Sequence, residues 1–520
     1  MSTVVVIGGG LAGLATACHL SGSGHEVVVV EREPIPGGRA GRIVRDGFTF
    51  DTGPTVLTMR GLLDDVVSAA GGDLDTLLPM RRLDPAYRAK FHDGSEILVR
   101  HGHDAMREEI RQVCGAHDAA AFDEFVGWLR KLYEVEMPHF IDHNFDSPLD
   151  LVASPGAAAR LVAMGGFGRL GKAVARRFDD DRLRRLFTFQ AMYAGLPPRS
   201  ALAIYAVITY MDCIEGVFFP EGGMSEVPKA LARAAEGGGA TLRYGTSVTR
   251  VLRRADGAVA GVEVDDGERI AADAVVCTLD TPVAYRELLP DLAPPRVLRK
   301  GDYSPSAVVW HVGARGALPE GTHHHNIHFA QAWDSAFDAL IKQGRLMPDP
   351  SRLVTVPTVS DPSLAPEGAH TLYVLEPVPN LDGVVDWQAQ RGPMRDSLLR
   401  FLETEGYPTD VVAEELVDPL DWERMGMERG TPFALAHTFA QTGPFRPGNV
   451  ERRLPGMFFA GSGTTPGVGV PMVLVSGKLA AQRVTSYLPD TGRAGPAVPL
   501  ASRRARRAPR PAVTGSEAVS

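Results

Sequence analysis

The chain of 520 residues has little cysteine, and its four cysteines, Cys18, Cys114, Cys213 and Cys277, form no C-x-x-C pair. A disulfide-stapled secreted scaffold is excluded; buried, reduced thiols in a cytosolic protein are expected. No stretch approaches the ~18 uninterrupted apolar residues of a membrane span, and the longest candidate is 201–211. Any membrane contact must then be peripheral. Basic charge is also short. Lys and Arg number 54 against 63 Asp and Glu, a net −9. That gives no field for a nucleic acid backbone, so no nucleic acid partner is expected. The apolar run Val4–Ile7 lacks a basic n-region and is interrupted by Gly8-Gly9-Gly10, which argues against a signal peptide. No internal repeat is present.

What remains is an ordinary globular composition, 44% hydrophobic and 22% charged. A chain this long can bury a large core, and its length suggests two or three domains. Residues 3–7 and 26–31 read as buried strands flanking a small-residue helix at 11–21, a βαβ unit with a parallel sheet. Residues 87–99 read as a hairpin turning at Asp93-Gly94, and 104–215 as mostly helical. Three β runs follow at 247–253, 259–264 and 269–279. The stretch 301–440 mixes strands at 307–312 and 372–375 with helices at 333–342 and 394–405. A strand at 456–460 and a helix at 471–487 close the pattern. Beyond Pro489 the sequence turns to Pro, Ala, Ser and Arg, and a disordered basic tail is expected.

The glycines carry the chemistry. Gly8-x-Gly10-x-x-Gly13 follows a strand and opens a helix. Gly8 allows the tight turn, Gly10 lets backbone approach a pyrophosphate, and Gly13 lets helix and strand pack closely. Leu11 and Ala12 begin the helix whose free N–H groups face phosphate. Glu31 ends the second strand, where a carboxylate accepts from a ribose 2′-hydroxyl. Next comes Gly37-Gly38-Arg39, then Gly41-Arg42. An NAD enzyme has no need of a second glycine–arginine loop here. FAD, a longer cofactor, gains from a second backbone approach and a cation for its diphosphate. Gly53-Pro54-Thr55 forms a turn that can border a flat ring. Near the other end, Gly461-Ser462-Gly463 follows a strand, and Val470-Pro471-Met472 opens a helix aimed back at the same ligand. Val248, at the start of the β meander, is counted with these cofactor contacts.

These residues resemble the flavoprotein group that includes amine oxidases and carotenoid desaturases. The segment Gly461-Ser-Gly-Thr-Thr-Pro-Gly-Val-Gly-Val-Pro471 is similar to the signature of bacterial-type phytoene desaturases. Segments 216–224, 358–368 and 373–379 agree, and the likeness runs from about residue 3 to 487. Thr465 stands where that family commonly has His. The resemblance implies an α/β fold: a Rossmann-type, glutathione-reductase-like FAD domain with an inserted α+β substrate domain and a helical membrane-facing part. The FAD domain is expected in three segments, 1–80, 221–300 and 441–488. Residues 81–220 and 301–440 would form the substrate part, with the tail at 489–520. It implies non-covalent FAD and a carotenoid polyene substrate, 15-cis-phytoene, desaturated toward lycopene. It also implies a cytoplasmic protein peripheral on the inner face of the cell membrane. A quinone or oxygen takes the electrons, and the residues do not choose between them. A sister oxidoreductase or isomerase on another polyene, and a non-catalytic lipid-binding escort, share the fold and stay open.

A hydrocarbon must be recognised by apolar area, at ~25 cal/mol per Å² buried. Phe187, Phe189, Met192, Tyr193, Tyr205, Tyr210, Met211, Phe218 and Phe219 form a candidate tunnel wall. Residues 158–187, with Arg160, Arg169, Lys172, Arg176 and Arg177, have the composition of an interfacial helix. His323-His324-His325 with His328 has no acid or thiol at metal spacing, so no metal is expected. The catalytic residue is not assigned. Asp142, His143 and Glu221 are candidates for acid–base work, and none is expected to be essential, since the cofactor carries the electronics.

Overall fold

The computed structural model describes residues 2–152 and 154–488, and the three largest of five sheets organise them. The first is wholly parallel. Its order is Met457–Phe459, Ala274–Cys277, Thr3–Ile7, Glu26–Val30 and Thr241–Arg243. These strands are short continuous apolar runs because the sheet is covered on both faces. Val4, Val5 and Val6 and all of Ala274–Cys277 are buried. Strands from both ends of the chain therefore share one sheet, with Ala274–Cys277 between them.

The helix Leu11–Gly22 lies against the C-terminal helix Val470–Tyr487. Small residues set this approach. A Cβ at Gly477 would stand 2.6 Å from the Ala12 carbonyl oxygen, and Thr16 Oγ1 donates to the Gly477 carbonyl at 3.3 Å. Similarly, a Cβ at Gly13 would stand 2.0 Å from the Gly8 carbonyl oxygen, so only glycine lets helix and strand meet there.

The second sheet is the expected antiparallel meander, Val248–Arg253, Val259–Val264 and Arg269–Ala271. The third has seven strands in the order Asp410–Val417, Ser306–Arg315, Ala369–Val378, Arg352–Thr355, His325–Phe329, Tyr87–Phe91 and Glu96–Val99. Its long central strands extend well beyond the apolar stretches at 307–312 and 372–375. The helix read at 394–405 begins earlier, at Trp387, where Asp386 accepts from the backbone of Gln388 and Ala389.

The stretch 158–187 is not one helix. Pro155–Ala163, Leu170–Ala175 and Asp181–Leu186 are separate short helices, and Gly165, in left-handed geometry, ends the first. The tail at 489–520 lies outside the described residues.

Candidate functional site

One cavity of about 1300 Å³ dominates the described residues, above the ~300–1,000 Å³ usual for a single small ligand. It begins at the C-terminal ends of the parallel strands. Gly8, Gly10, Leu11, Ala12 and Glu31 line it there. Gly38, Arg39, Gly53, Pro54, Thr55 and Val248 continue the wall, and Gly461, Ser462, Val470, Pro471 and Met472 complete it from the far end of the chain. Two of the expected residues do not line the cavity. Gly463 does not reach the cavity: a Cβ there would meet Thr281 Oγ1 at 2.2 Å, so the glycine serves packing. Gly13 is also outside the wall, where it allows the close approach of helix and strand at Gly8 that the sequence suggested.

The two glycine-rich ends are tied together by Arg39. Its Nη1 donates to Ser462 Oγ at 2.8 Å and to the Pro432 carbonyl at 2.9 Å. Burial lowers the guanidinium's pKa, and Asp280 opposes this. Arg446, missed in the sequence, fastens the C-terminal turn, with Nη2 donating to the Ser462 carbonyl at 2.6 Å.

Does this wall suit a dinucleotide? A Cβ at Gly10 would meet nothing nearer than 3.9 Å and would stand in the cavity. That is the open backbone face a diphosphate needs. Glu31 Oε2 accepts from Gly9 N at 2.5 Å and Oε1 from Glu33 N at 2.9 Å. The carboxylate is thereby fixed at the wall with lone pairs left for a ribose. Gly469, at φ 114°, leads into the helix beginning at Val470, whose first N–H groups are turned to the cavity end. The residues fit FAD.

Beyond this end the cavity becomes apolar. Phe189, Met192, Tyr193, Tyr205 and Met211 line it, as the sequence suggested. Phe187 does not. It packs in a cluster with Phe122, Phe125 and Phe178. Tyr210 packs on Tyr133, Phe218 lies under Arg82, and Phe219 faces His324; none of the three lines the cavity. Polar groups missed in the sequence interrupt the apolar wall. Asp212 is buried there, its carboxyl pushed up to about 7 by burial, with Tyr87 donating to Oδ2 at 3.4 Å. Glu136 is buried with Oε1 unpartnered, and burial raises its pKa well above the carboxylate range. Each had a signal: Asp212 interrupts an apolar run, and Glu136 follows Leu132 by four residues on the buried face of its helix.

The acid–base candidates lie elsewhere. Asp142 pairs with Lys478 at 2.9 Å, His143 packs edge-on to Phe145, and neither they nor Glu221 lines the cavity. The histidine cluster is split between neighbours: His324 Nδ1 meets Ser360 Oγ at 2.7 Å, and His325 Nδ1 meets Thr355 Oγ1 at 2.9 Å.

Comparison with known proteins gives these features a family. Residues 11–485 match the model for flavin-containing amine oxidoreductases. The chain is 50% identical to a phytoene dehydrogenase of Streptomyces griseus, over 99% of this chain and 98% of that one. It is 35% identical to a zeta-carotene-forming phytoene desaturase of Myxococcus xanthus, over 93% and 94%. Among solved structures, an oxidoreductase from Methanosarcina mazei aligns over 93% of this chain and 100% of its own, with a TM-score of 0.60 at 19% identity. Cyclohexylamine oxidase from Brevibacterium oxydans aligns over 93% and 99%, at 0.55 and 18%. The chain belongs to the flavin-containing amine oxidoreductases, and within them to the bacterial carotenoid desaturases. Membership makes the cofactor a flavin, and the dinucleotide fingerprint makes it FAD. No helix of the described residues is long and apolar enough to cross a membrane.

Proposed function

We propose that the chain desaturates 15-cis-phytoene toward lycopene, with FAD held between the N- and C-terminal glycine turns. The observation that carries this reading is the shape of the cavity. A polar end built from glycine backbone, Glu31 and Arg39 runs without a break into a long apolar end with few polar groups. One region suits a dinucleotide and the other suits a hydrocarbon.

When bound, FAD supplies a hydride acceptor for an allylic CH2 of the polyene. The chain's own task is placement. The Gly10 backbone and the first turn of the Leu11–Gly22 helix receive the diphosphate, and Glu31 receives the ribose. The turn Gly53-Pro54-Thr55 and the start of the Val470–Tyr487 helix border the ring. Phe189, Met211, Ile327 and Phe329 present apolar surface to the polyene and exclude water.

The substrate is expected to enter from a lipid surface. Phe167, Phe439 and Phe445 line the cavity yet are 44%, 57% and 36% exposed, and they touch one another edge to face or tilted. Leu149 and Val162, on short helices beside them, are exposed too. A contiguous apolar rim at a cavity mouth suits peripheral contact with a bilayer.

Anaerobic incubation of the FAD-loaded protein with phytoene liposomes tests the reading. Bleaching of the flavin band with one new double bond per flavin is expected, and supplying an electron acceptor is expected to carry the product series on to lycopene. A product series that stops at zeta-carotene would contradict the lycopene assignment. An unbleached flavin with unchanged phytoene would contradict the desaturation itself. Adding quinone or oxygen afterwards identifies the acceptor by which one restores the band.

A further inference from the structure

Behind the turn that borders the flavin ring lies a second, small void of about 10 Å³. Thr55 and Tyr373 line both this void and the main cavity. Its surface is mostly apolar, yet six polar side chains, Asp51, Thr55, His311, His324, Thr355 and Thr371, stand around it. Several of their atoms have no partner. Both ring nitrogens of His311, Nε2 of His324 and Oγ1 of Thr371 are buried and unbonded. Native proteins leave few such atoms unsatisfied, and a void of about 10 Å³ with two to four polar neighbours is just large enough for one water.

The surrounding bonds give that void two connections. Thr355 Oγ1 donates to Thr55 Oγ1 at 3.4 Å, on the main-cavity side. His324 Nδ1 meets Ser360 Oγ at 2.7 Å, and Ser360 is only half-buried. One water between Thr355 and His324 would make the route continuous from cavity to solvent.

We propose that this void holds an ordered water that completes a proton exit, Thr55–Thr355–water–His324–Ser360. The proposal rests on the desaturation reading above. Each desaturation removes a hydride from one carbon and a proton from its neighbour. The electron pair of the second C–H bond becomes the new π bond, and the hydride leaves with its own pair. The proton must then cross an apolar tunnel that excludes water. A proton beside an allylic cation is acidic enough for a neutral oxygen to receive it, so the first acceptor need not be a strong base. The Thr55 hydroxyl takes this proton and, once both hydroxyls turn so that the resting Thr355-to-Thr55 bond reverses, passes its own inward along the chain to solvent. Burial holds His324 neutral, at about 3, so one ring nitrogen accepts while the other donates, which is what a relay requires.

Two measurements test this. A high-resolution crystal structure of the FAD-loaded protein is expected to show one water within hydrogen-bond distance of Thr355 Oγ1 and His324 Nε2; a dry void overturns the proposal. Single-turnover product formation from phytoene liposomes, run anaerobically in H2O and D2O, tests the path. Thr355→Val keeps shape and removes the hydroxyl. It is expected to retain FAD, to melt somewhat lower because His325 Nδ1 loses its partner, and to slow product formation at least ~10-fold, the lower side of what positioned proton transfer contributes. Its solvent isotope effect is expected to exceed the wild type's, and Thr355→Ser to restore the rate. Should Thr355→Val fail to fold, His324→Gln gives the same readout. A Val or Gln variant turning over at the wild-type rate, or a Ser variant as slow as Val, overturns the relay. Wild-type protein that leaves phytoene unchanged refutes the desaturation reading and the relay with it, while the water stands or falls on the electron density alone.

Discussion

Replacing Gly10 and Gly13 in turn by alanine separates cofactor binding from folding within one short motif. Gly10 has φ −74° and ψ 175°, a conformation open to alanine, and its added Cβ meets nothing within 3.9 Å. Folding stability is therefore expected to change by no more than ~0.5 kcal/mol, as at a strain-free surface site. The methyl group stands in the cavity, where the diphosphate must meet backbone N–H groups. Losing two charge-assisted hydrogen bonds at ~1.5–3 kcal/mol each costs at least ~3 kcal/mol. That corresponds to ~100-fold weaker FAD binding. Gly13→Ala behaves in the opposite way. Its Cβ would stand 2.0 Å from the Gly8 carbonyl oxygen, where an ordinary contact needs at least 3.4 Å. Helix and strand must separate, at a cost of ~1–3 kcal/mol or more in an otherwise closely packed core. Isothermal titration of flavin-free protein with FAD, beside thermal melts of the same samples, reads both quantities. Gly10→Ala binding FAD as tightly as wild type would refute the reasoning, as would Gly13→Ala melting at the wild-type temperature.

Three further outcomes are expected. Arg39→Met removes the link between the two ends of the chain and its bonds to Ser462 and Pro432, worth ~1.5–3 kcal/mol each; gel filtration is expected to strip FAD from the variant, and full retention would contradict the link. Asp212 has a folded pKa of about 7 against an ordinary 3.8. Its burial therefore costs nothing below pH ~4, a penalty that grows between pH ~4 and ~7 and is constant above, about 4 kcal/mol at 1.36 kcal/mol per unit. Asp212→Asn is expected to melt well above wild type at pH 8 and level with it near pH 4. Phe167→Glu with Phe439→Glu removes ~1.5–3 kcal/mol of apolar transfer per side chain at the mouth; vesicle co-sedimentation is expected to fall at least tenfold, and unchanged binding would place the membrane contact elsewhere.

The nucleotide end was legible in the sequence because its requirements are local. Gly8, Gly10 and Gly13 each answer to one backbone constraint, and Glu31 sits at a strand end that any βαβ unit provides. The C-terminal turn was legible for the same reason, with Gly463 the exception: its neighbour Thr281 is distant in sequence and invisible to a motif. The substrate wall was legible only as composition. Phe187 and Phe189 are two residues apart and chemically alike. One joins a core of four aromatic rings and the other faces the cavity, a difference set by packing across Phe122, Phe125 and Phe178. The long charged stretch at 158–187 looked like one interfacial helix because composition ignores the break at Gly165. The exposed rim comes instead from Phe167, Phe439 and Phe445, two of them on turns nearly 300 residues further along. The strands His325–Phe329, Arg352–Thr355 and Asp410–Val417 escaped notice because polar residues such as His325, Asn326 and Glu414 occupy them, held by partners that only the folded sheet supplies.

Two distant glycine turns are expected to grip one flavin at the head of an apolar tunnel. The most direct check is the electron density of FAD-reconstituted protein crystals. The account predicts the diphosphate against Gly10 and Arg39, and the isoalloxazine ring between Thr55 and the start of the Val470–Tyr487 helix. A flavin bound elsewhere, or touching only one of the two turns, would contradict it.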